Sequence, residues 1–507
     1  MGTVFKTGRR IKLGIWGLCR GVSFGNIAGN LQIDVIAGCD IDAGMREKFR
    51  KNYPDVQVFA DENEFLSTPG MDAVLIATFF DAHAEHAIKA LNAGMHVMCE
   101  VTGFFTPADG VRLVEAVERS GKVFNLLENY PFTKQNMYLQ ALWDKGFFGE
   151  FLYGECEYLH NCRDLIYGNW TPSGTLPRVP GCTMHNWRSW LNFHYYNTHS
   201  LGPLMKITGL RPIRVTAPAA SVQCPGFPRN SGMGKMCPSF VEMSNGAVMR
   251  NLMGAATNDS PYGCRLWGSR ASLEAIGDGL RICVGARGDG RRLKVDPQWA
   301  ELGELADAAG HNGGDFWEIY YFVREILTGE KAPWGIYDAA DVTLAGISAV
   351  RSETEGGIPV EVPDFRDPAV RDQYRNDHFL QKRLFDPANV FPADCDHELA
   401  DTFCKTMLDI EKFSGMLRDA FDGAVLWKNL SDDYSRLTVC KAVNSALEHL
   451  ADLFTALEQG KKIMATYPDG DPATALRGII SLAMPECDEP ETLVRQKLEA
   501  IRTEFSR

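Results

Sequence analysis

The chain has 507 residues, 45% of them hydrophobic and 23% charged, with a formal net charge of −13. That length calls for two or three folding units, and the composition is that of an ordinary globular protein. The acidic balance excludes nucleic acid and anionic membranes as expected partners, because phosphates are repelled. No apolar run reaches the roughly 18 residues of a membrane span, and the start lacks a signal-peptide cleavage pattern. Met1-Gly2 resembles a myristoylation start, but Lys6 stands where that signal wants Ser or Thr. Fourteen cysteines show no CxxC pair. Cys156 and Cys162 flank His160 without zinc-site spacing, so free thiols in a reducing cytoplasm are expected and no metal.

In chain order, the first unit alternates strands and helices. "IKLGIWGLC" (11–19) is an apolar strand running into glycines, and 22–31 reads as a helix. Strands follow at 34–42, 55–60, 71–78, 95–101 and 122–129, with helices after 42, at 81–94 and at 107–121. Nearly continuous apolar strands separated by amphipathic helices predict a doubly wound parallel sheet, a Rossmann-type α/β unit over 1–132.

From 133 the pattern changes. A helix (133–146) and a strand (151–160) lead to a Trp-, Pro- and Gly-rich loop, 161–193. Strands are predicted near 211–223, 238–243, 247–256, 262–267 and 271–276, with Asn245-Gly246 as a hairpin turn. Helices at 314–328 and 338–353 and a closing stretch, 356–365, complete an α+β unit (133–365) with a large, mostly antiparallel open sheet. Residues 366–507 carry long amphipathic patterns and few strand signals. A helical extension is predicted, serving packing or homo-oligomer contacts.

Three features carry chemistry. Gly17, Leu18, Cys19, Arg20 and Gly21 form the turn from the first strand into the first helix, where backbone N–H groups can meet a pyrophosphate. Cys19 occupies the second glycine position of GxGxxG, a departure from that fingerprint. Asp40 lies about 20 residues on, at the end of the second strand, where a carboxylate accepts from ribose hydroxyls and repels a 2′-phosphate. Asp42 is read as adding to that repulsion. NAD is therefore the expected cofactor, with Thr78 and Glu100, at the ends of later strands, beside it.

"CEVTG" (99–103) ends a strand on the carboxyl edge, and here the chain resembles the glucose–fructose oxidoreductase / inositol dehydrogenase family (Gfo/Idh/MocA), over about 11–365. Most members read Glu-Lys-Pro at this point, with the Lys beside the nicotinamide. This chain keeps Glu100 but has Val101 and Thr102 in the next two places. "LLEN" (126–129), "EYLHN" (157–161), "NWRSWLNFHYYNTHSLGP" (186–203) and "HNGGDF" (311–316) resemble a subgroup without the Lys, the NAD-dependent glycosidases such as α-N-acetylgalactosaminidases, and related glycoside oxidoreductases. The resemblance implies catalytic roles for Tyr196 and His199, a Tyr-x-x-His pair on one helical face, and a substrate-site role for His160, with Asn161 beside it. Glu100 and His160 remain alternative bases. His311 is placed at a substrate hydroxyl. Trp187 and Arg188 suit a sugar, whose C–H face packs on aromatic rings and whose hydroxyls bind guanidinium.

The implied reaction is hydride transfer between NAD and a sugar or glycoside at C3. One alternative continues to redox-neutral glycoside cleavage by oxidation, elimination, water addition and re-reduction, without the paired carboxylates of ordinary glycosidases. A sugar- and NAD-binding protein without catalysis is the other.

Overall fold

The computed structural model describes residues 4–161, 163, 191–227, 232–255, 262–276, 279–285, 290–381, 397–468 and 471–505. Six strands, β1 (Ile11–Trp16), β2 (Ile33–Cys39), β3 (Gln57–Phe59), β4 (Ala73–Ile76), β5 (His96–Glu100) and β6 (Phe124–Leu127), form one sheet in the order β3-β2-β1-β4-β5-β6. Every pair is parallel. β4 and β6 are buried at every residue, as expected for strands covered on both faces.

The intervening helices carry the predicted stop and start signals. Pro107–Ser120 has Pro at its first position, Thr106 Oγ1 accepting from Asp109 N at 3.1 Å, and left-handed Gly121 at its end. The strand order reverses between β1 and β4. Ligands of such sheets bind at that point, on the carboxyl edge.

A second sheet has nine strands: β7 (Phe151–His160), β8 (Pro212–Thr216), β9 (Met236–Met243), β10 (Val248–Ala255), β11 (Tyr262–Gly268), β12 (Ala271–Ile276), β13 (Gly279–Val284), β14 (Arg291–Val295) and β15 (Val360–Glu361). Their order is β14-β13-β12-β11-β7-β10-β9-β8-β15. All pairs are antiparallel except central β7–β10, which is parallel, so the sheet is mixed.

Asn245-Gly246 does close the β9–β10 hairpin, with Gly246 N donating to Met243 O. β13 and β14 have no counterpart among the predicted strands. β14 reads "RRLKV" with four exposed residues, an edge strand kept soluble by charge and therefore lacking the apolar alternation that marks a strand. Helices Thr198–Thr208 and Ile336–Thr354 pack on the sheet beside β7 and β8.

After Phe365 the chain first returns to the parallel sheet's outer layer. Arg371 and Arg375 pair with Glu118 and Glu115 on the helix Pro107–Ser120, and Asp377 O accepts from Ala108 N. Five helices follow, His397–Leu426, Asp433–Glu448, Leu450–Thr466, Asp471–Ile480 and Glu491–Phe505. They bury Phe403, Ile410, Leu417, Leu453, Leu457 and Leu498 among themselves. Among the described residues, no helix is long and apolar enough to cross a membrane.

Candidate active site

The carboxyl edge of the parallel sheet collects the predicted cofactor residues. Gly17 has φ +97°, and a Cβ there would lie 2.3 Å from Ala77 O, so the turn after β1 tolerates only glycine. Asp40, just past β2, reaches into that turn. Its carboxylate accepts from Leu18 N and from Asp42 N, each at 2.8 Å. Burial raises its pKa, against those two N–H groups. Two oxygens offer about four acceptor positions, so ribose hydroxyls can still be accepted.

Asp42 does not face the ribose position as read from sequence. It is buried and caps the helix Ala43–Asn52, accepting from Gly44 N and Met45 N. Arg46, four residues further on, donates to Asp40 O at 2.7 Å. Ile41 is 67% exposed, an apolar shelf beside Asp40. A glycine turn at a helix start, a carboxylate and an apolar shelf on one edge suit a dinucleotide. Thr78 Oγ1 lies 2.9 Å from His86 Nδ1, and the His86 ring stacks on Trp16 at 4.0 Å. Cys19 is exposed at the mouth of the turn.

Arg20 ties the turn to the rest of the site. Its Nε is 3.0 Å from Glu100 Oε1 and its Nη2 is 3.5 Å from Asp315 Oδ2. Burial opposes its charge, but Glu100, Asp315 and Glu318 outweigh burial and hold its pKa above the ordinary value. Glu100 ends β5, and the Val101–Thr102 peptide bond beyond it is cis.

Two acids that sequence reasoning gave no role organise the centre. Glu128, fully buried just after β6, has both carboxylate oxygens 2.9 Å from His199 Nδ1. Asp315, at the start of the helix Gly314–Thr328, accepts from Asn129 Nδ2 at 2.9 Å and lies 2.9 Å from His311 Nδ1. Burial raises the pKa of Asp315, but His311, Arg20 and Asn129 override it and lower the net value.

The turn before that helix is tight. His311 and Asn312 have φ +52° and +50°, and a Cβ on Gly314 would sit 2.3 Å from Asn129 O. Strain of that kind persists where surrounding contacts hold it. The signals for both acids were present: an acid ends an apolar strand in "LLEN", and another opens a helix in "HNGGDF".

Around His199 stand three tyrosine rings, Tyr158 at 4.7 Å, Tyr130 at 4.9 Å and Tyr196 at 5.6 Å between centroids. Tyr196 and His199 thus share a neighbourhood, but the Nδ1 of His199 is committed to Glu128 rather than to the phenol. His311 joins through Tyr130, 5.9 Å away, and His160 through Tyr158, 5.8 Å away. His160 Nδ1 donates to Asn161 O at 2.8 Å.

Asn161 is drawn off by the helical extension. Its Nδ2 donates to Glu411 on the helix His397–Leu426 at 2.9 Å, and buried Arg163 pairs with the same carboxylate. Trp187 and Arg188 lie outside the described residues.

Residues 21–127 match the oxidoreductase family with an NAD-binding Rossmann fold (Gfo/Idh/MocA). That match covers the parallel-sheet part of the chain from its first helix to β6. Its parallel-sheet unit is an NAD-binding Rossmann domain. Residues 294–371, which hold His311, Asp315 and the helix Ile336–Thr354, match the C-terminal domain of glycosyl hydrolase 109.

An α-N-acetylgalactosaminidase from Tannerella forsythia is 27% identical over 395 residues, 67% of this chain and 82% of that protein. A glycosyl hydrolase family 109 protein from Parabacteroides distasonis is 29% identical over 384 residues, 65% and 81% of the two chains. Two solved structures share this chain's fold. Levoglucosan dehydrogenase with NADH and L-sorbose has a TM-score of 0.59 at 18% identity, covering 70% of this chain and all (100%) of that one. An inositol dehydrogenase homolog from Azotobacter vinelandii with NADH and myo-inositol has a TM-score of 0.56 at 20% identity, covering 70% and 98%.

Proposed function

We propose that the protein moves a hydride between NAD and C3 of a pyranose sugar or glycoside, with His199 as the base on the reacting hydroxyl. The observation that carries this reading is the buried Glu128 carboxylate against His199 Nδ1. A carboxylate there holds the proton on Nδ1 and leaves Nε2 as the acceptor, the tautomer a general base needs. It also stabilises the imidazolium once the proton has moved.

Bound NAD supplies the hydride acceptor. The chain's own residues do the rest. Gly17–Gly21 and Asp40 hold the dinucleotide, and Arg20 ties the turn to Glu100 and Asp315. His160, His311 and Tyr196 surround the sugar beside the tyrosine rings. Val101 offers no amine, so the proton that a Lys would take passes to His199, with Tyr196 extending its reach.

A second reading is supported by the glycosyl hydrolase 109 match over 294–371 and by the T. forsythia relative. A ketone at C3 acidifies the C2 proton. Its removal expels the C1 substituent, water adds, and the hydride returns, so the glycosidic bond breaks without net redox change. Both readings share the first step.

The test mixes NAD-loaded protein with α-N-acetylgalactosaminides and other glycosides in single turnover. Reduced nicotinamide should appear and vanish in His199→Ala. Product masses then separate the readings: a keto glycoside lighter by two hydrogens for the oxidoreductase, a freed sugar and aglycone for the glycosidase. No nicotinamide reduction and no product with any glycoside would leave only the non-catalytic binding protein.

A further inference from the structure

Three potential metal ligands meet behind the segment that carries Tyr196 and His199. His194 sits on the short turn Phe193–Tyr196, Cys237 on β9, and Glu353 near the end of the helix Ile336–Thr354. One imidazole nitrogen, one sulfur and one carboxylate oxygen all lie within 4.8 Å of one another. His194 Nε2 is 3.6 Å from Glu353 Oε2. That is too long for a hydrogen bond. It is close to the roughly 3.3 Å that separates N and O on one tetrahedral zinc with bonds of about 2.0–2.1 Å.

The His194 ring is the second observation. It is fully buried, and neither ring nitrogen has a hydrogen-bond partner among the described residues. Buried imidazoles nearly always satisfy both nitrogens, so this ring is aimed at a ligand. Cys237 is buried too, with its sulfur 3.5 Å from Asn192 Oδ1.

Asn192 Nδ2 donates to Glu353 Oε2 at 2.8 Å, fixing the carboxylate as an outer-shell partner does at metal centres.

We propose that His194, Cys237 and Glu353 bind one divalent zinc-type cation that pins the turn before Tyr196 to β9 and to the end of the helix Ile336–Thr354. A thiolate, an imidazole and a carboxylate are a zinc donor set, and hard magnesium or calcium would not choose it. The thiolate and carboxylate balance the two positive charges, and the thiol proton leaves to solvent on binding. Asn192 Oδ1 or a water fills the fourth position. His194 and Cys237 are buried and the site lies off the Glu128–His199 pair, so its role is structural.

The test uses the full-length protein, stripped with a chelator, dialysed, and reloaded with zinc or cobalt(II). The expected result is one zinc retained per chain after gel filtration. The cobalt form should show a thiolate-to-metal charge-transfer band and the strong visible absorption of a four-coordinate site. Cys237→Ser should abolish the charge-transfer band, and His194→Gln should lower zinc affinity at least about tenfold, with NAD binding reporting that each variant folds.

Wild-type protein holding less than about a tenth of an equivalent at saturating zinc would overturn the proposal. So would a charge-transfer band that survives in Cys237→Ser. If either variant fails to fold, X-ray absorption on the wild-type zinc protein decides. One sulfur with light-atom neighbours supports the site, and no sulfur, or two or more, refutes it.

Discussion

At the scale of single residues, the candidate site turns on how buried charges are paired. Glu128 is sealed from water, and His199 is the group that meets both of its oxygens. Removing the imidazole leaves that carboxylate uncompensated, a change that typically costs about 3–5 kcal/mol. His199→Gln, which can still donate to Glu128, isolates chemistry from folding. It should slow nicotinamide reduction by about 10²–10⁴-fold, read by stopped-flow on folded, NAD-bound protein. Tyr196→Phe should also slow turnover, and the double variant should be no slower than His199→Gln alone if the two act on one proton. Full additivity would give Tyr196 a separate role.

Asp40 is tested by charge rather than by shape. Asp40→Asn keeps an acceptor for Leu18 N but no longer repels a 2′-phosphate. The preference for NAD over NADP should narrow by roughly tenfold, about 1.4 kcal/mol, in paired titrations. A wild-type protein that binds NADP more tightly than NAD would overturn the role given to Asp40.

At the scale of elements, the helix Gly314–Thr328 brings two acids to the site with opposite fates. Asp315 has three polar partners. Glu318, one turn on, is buried, and neither of its oxygens has a hydrogen-bond partner among the described residues. Burial, reinforced by Asp315 and Glu100, pushes its pKa well above the ordinary 4.5.

The folded chain therefore keeps a proton there that the unfolded chain has released. The stabilising contribution is complete below the unfolded pKa and is lost as pH rises toward the folded one. Glu318→Gln removes that linkage. Its stability relative to wild type should rise between about pH 4 and about pH 7, measured by urea midpoints. An unchanged difference across that range would show that Glu318 ionises normally.

At the scale of the whole molecule, the helical extension is fastened to the end of β7. Glu411 receives Asn161 and Arg163 directly beyond β7, so the extension does more than add mass. A chain ending at Phe365 removes the carboxylate that pairs with buried Arg163. It should unfold at lower temperature and lose glycoside turnover before it loses NAD, which is held by the other sheet. Loss of NAD binding with glycoside binding intact would reverse that assignment.

The same extension exposes Val425, Leu426, Tyr434 and Leu437 together at the junction of two helices. If copies of the chain associate there, Leu437→Asp should lower the sedimentation mass. An unchanged mass in an assembly of several chains would place the contact elsewhere.

Much of this was legible in the residues because it depends on local chemistry. β4 and β6 are short apolar runs, Pro107 and Gly121 bracket a helix, and Asn245-Gly246 makes a hairpin. Each signal lies within a few neighbours of the structure it specifies, and the glycine turn and Asp40 are read from spacing along one βαβ unit. Asp42 shows the limit even at short range: the same carboxylate can face a ligand or cap a helix, and only the backbone geometry chose the cap. β14 escaped because an edge strand is marked by charge, which looks like a loop.

The pairing of Glu128 with His199, of Asp315 with Arg20 and Asn129, and of Asn161 with Glu411 was decided by tertiary structure alone. Those partners are between 71 and 295 positions apart in sequence. Which acid meets which base depends on how the parallel sheet, the mixed sheet and the helical extension are packed, and no periodicity in the chain encodes that.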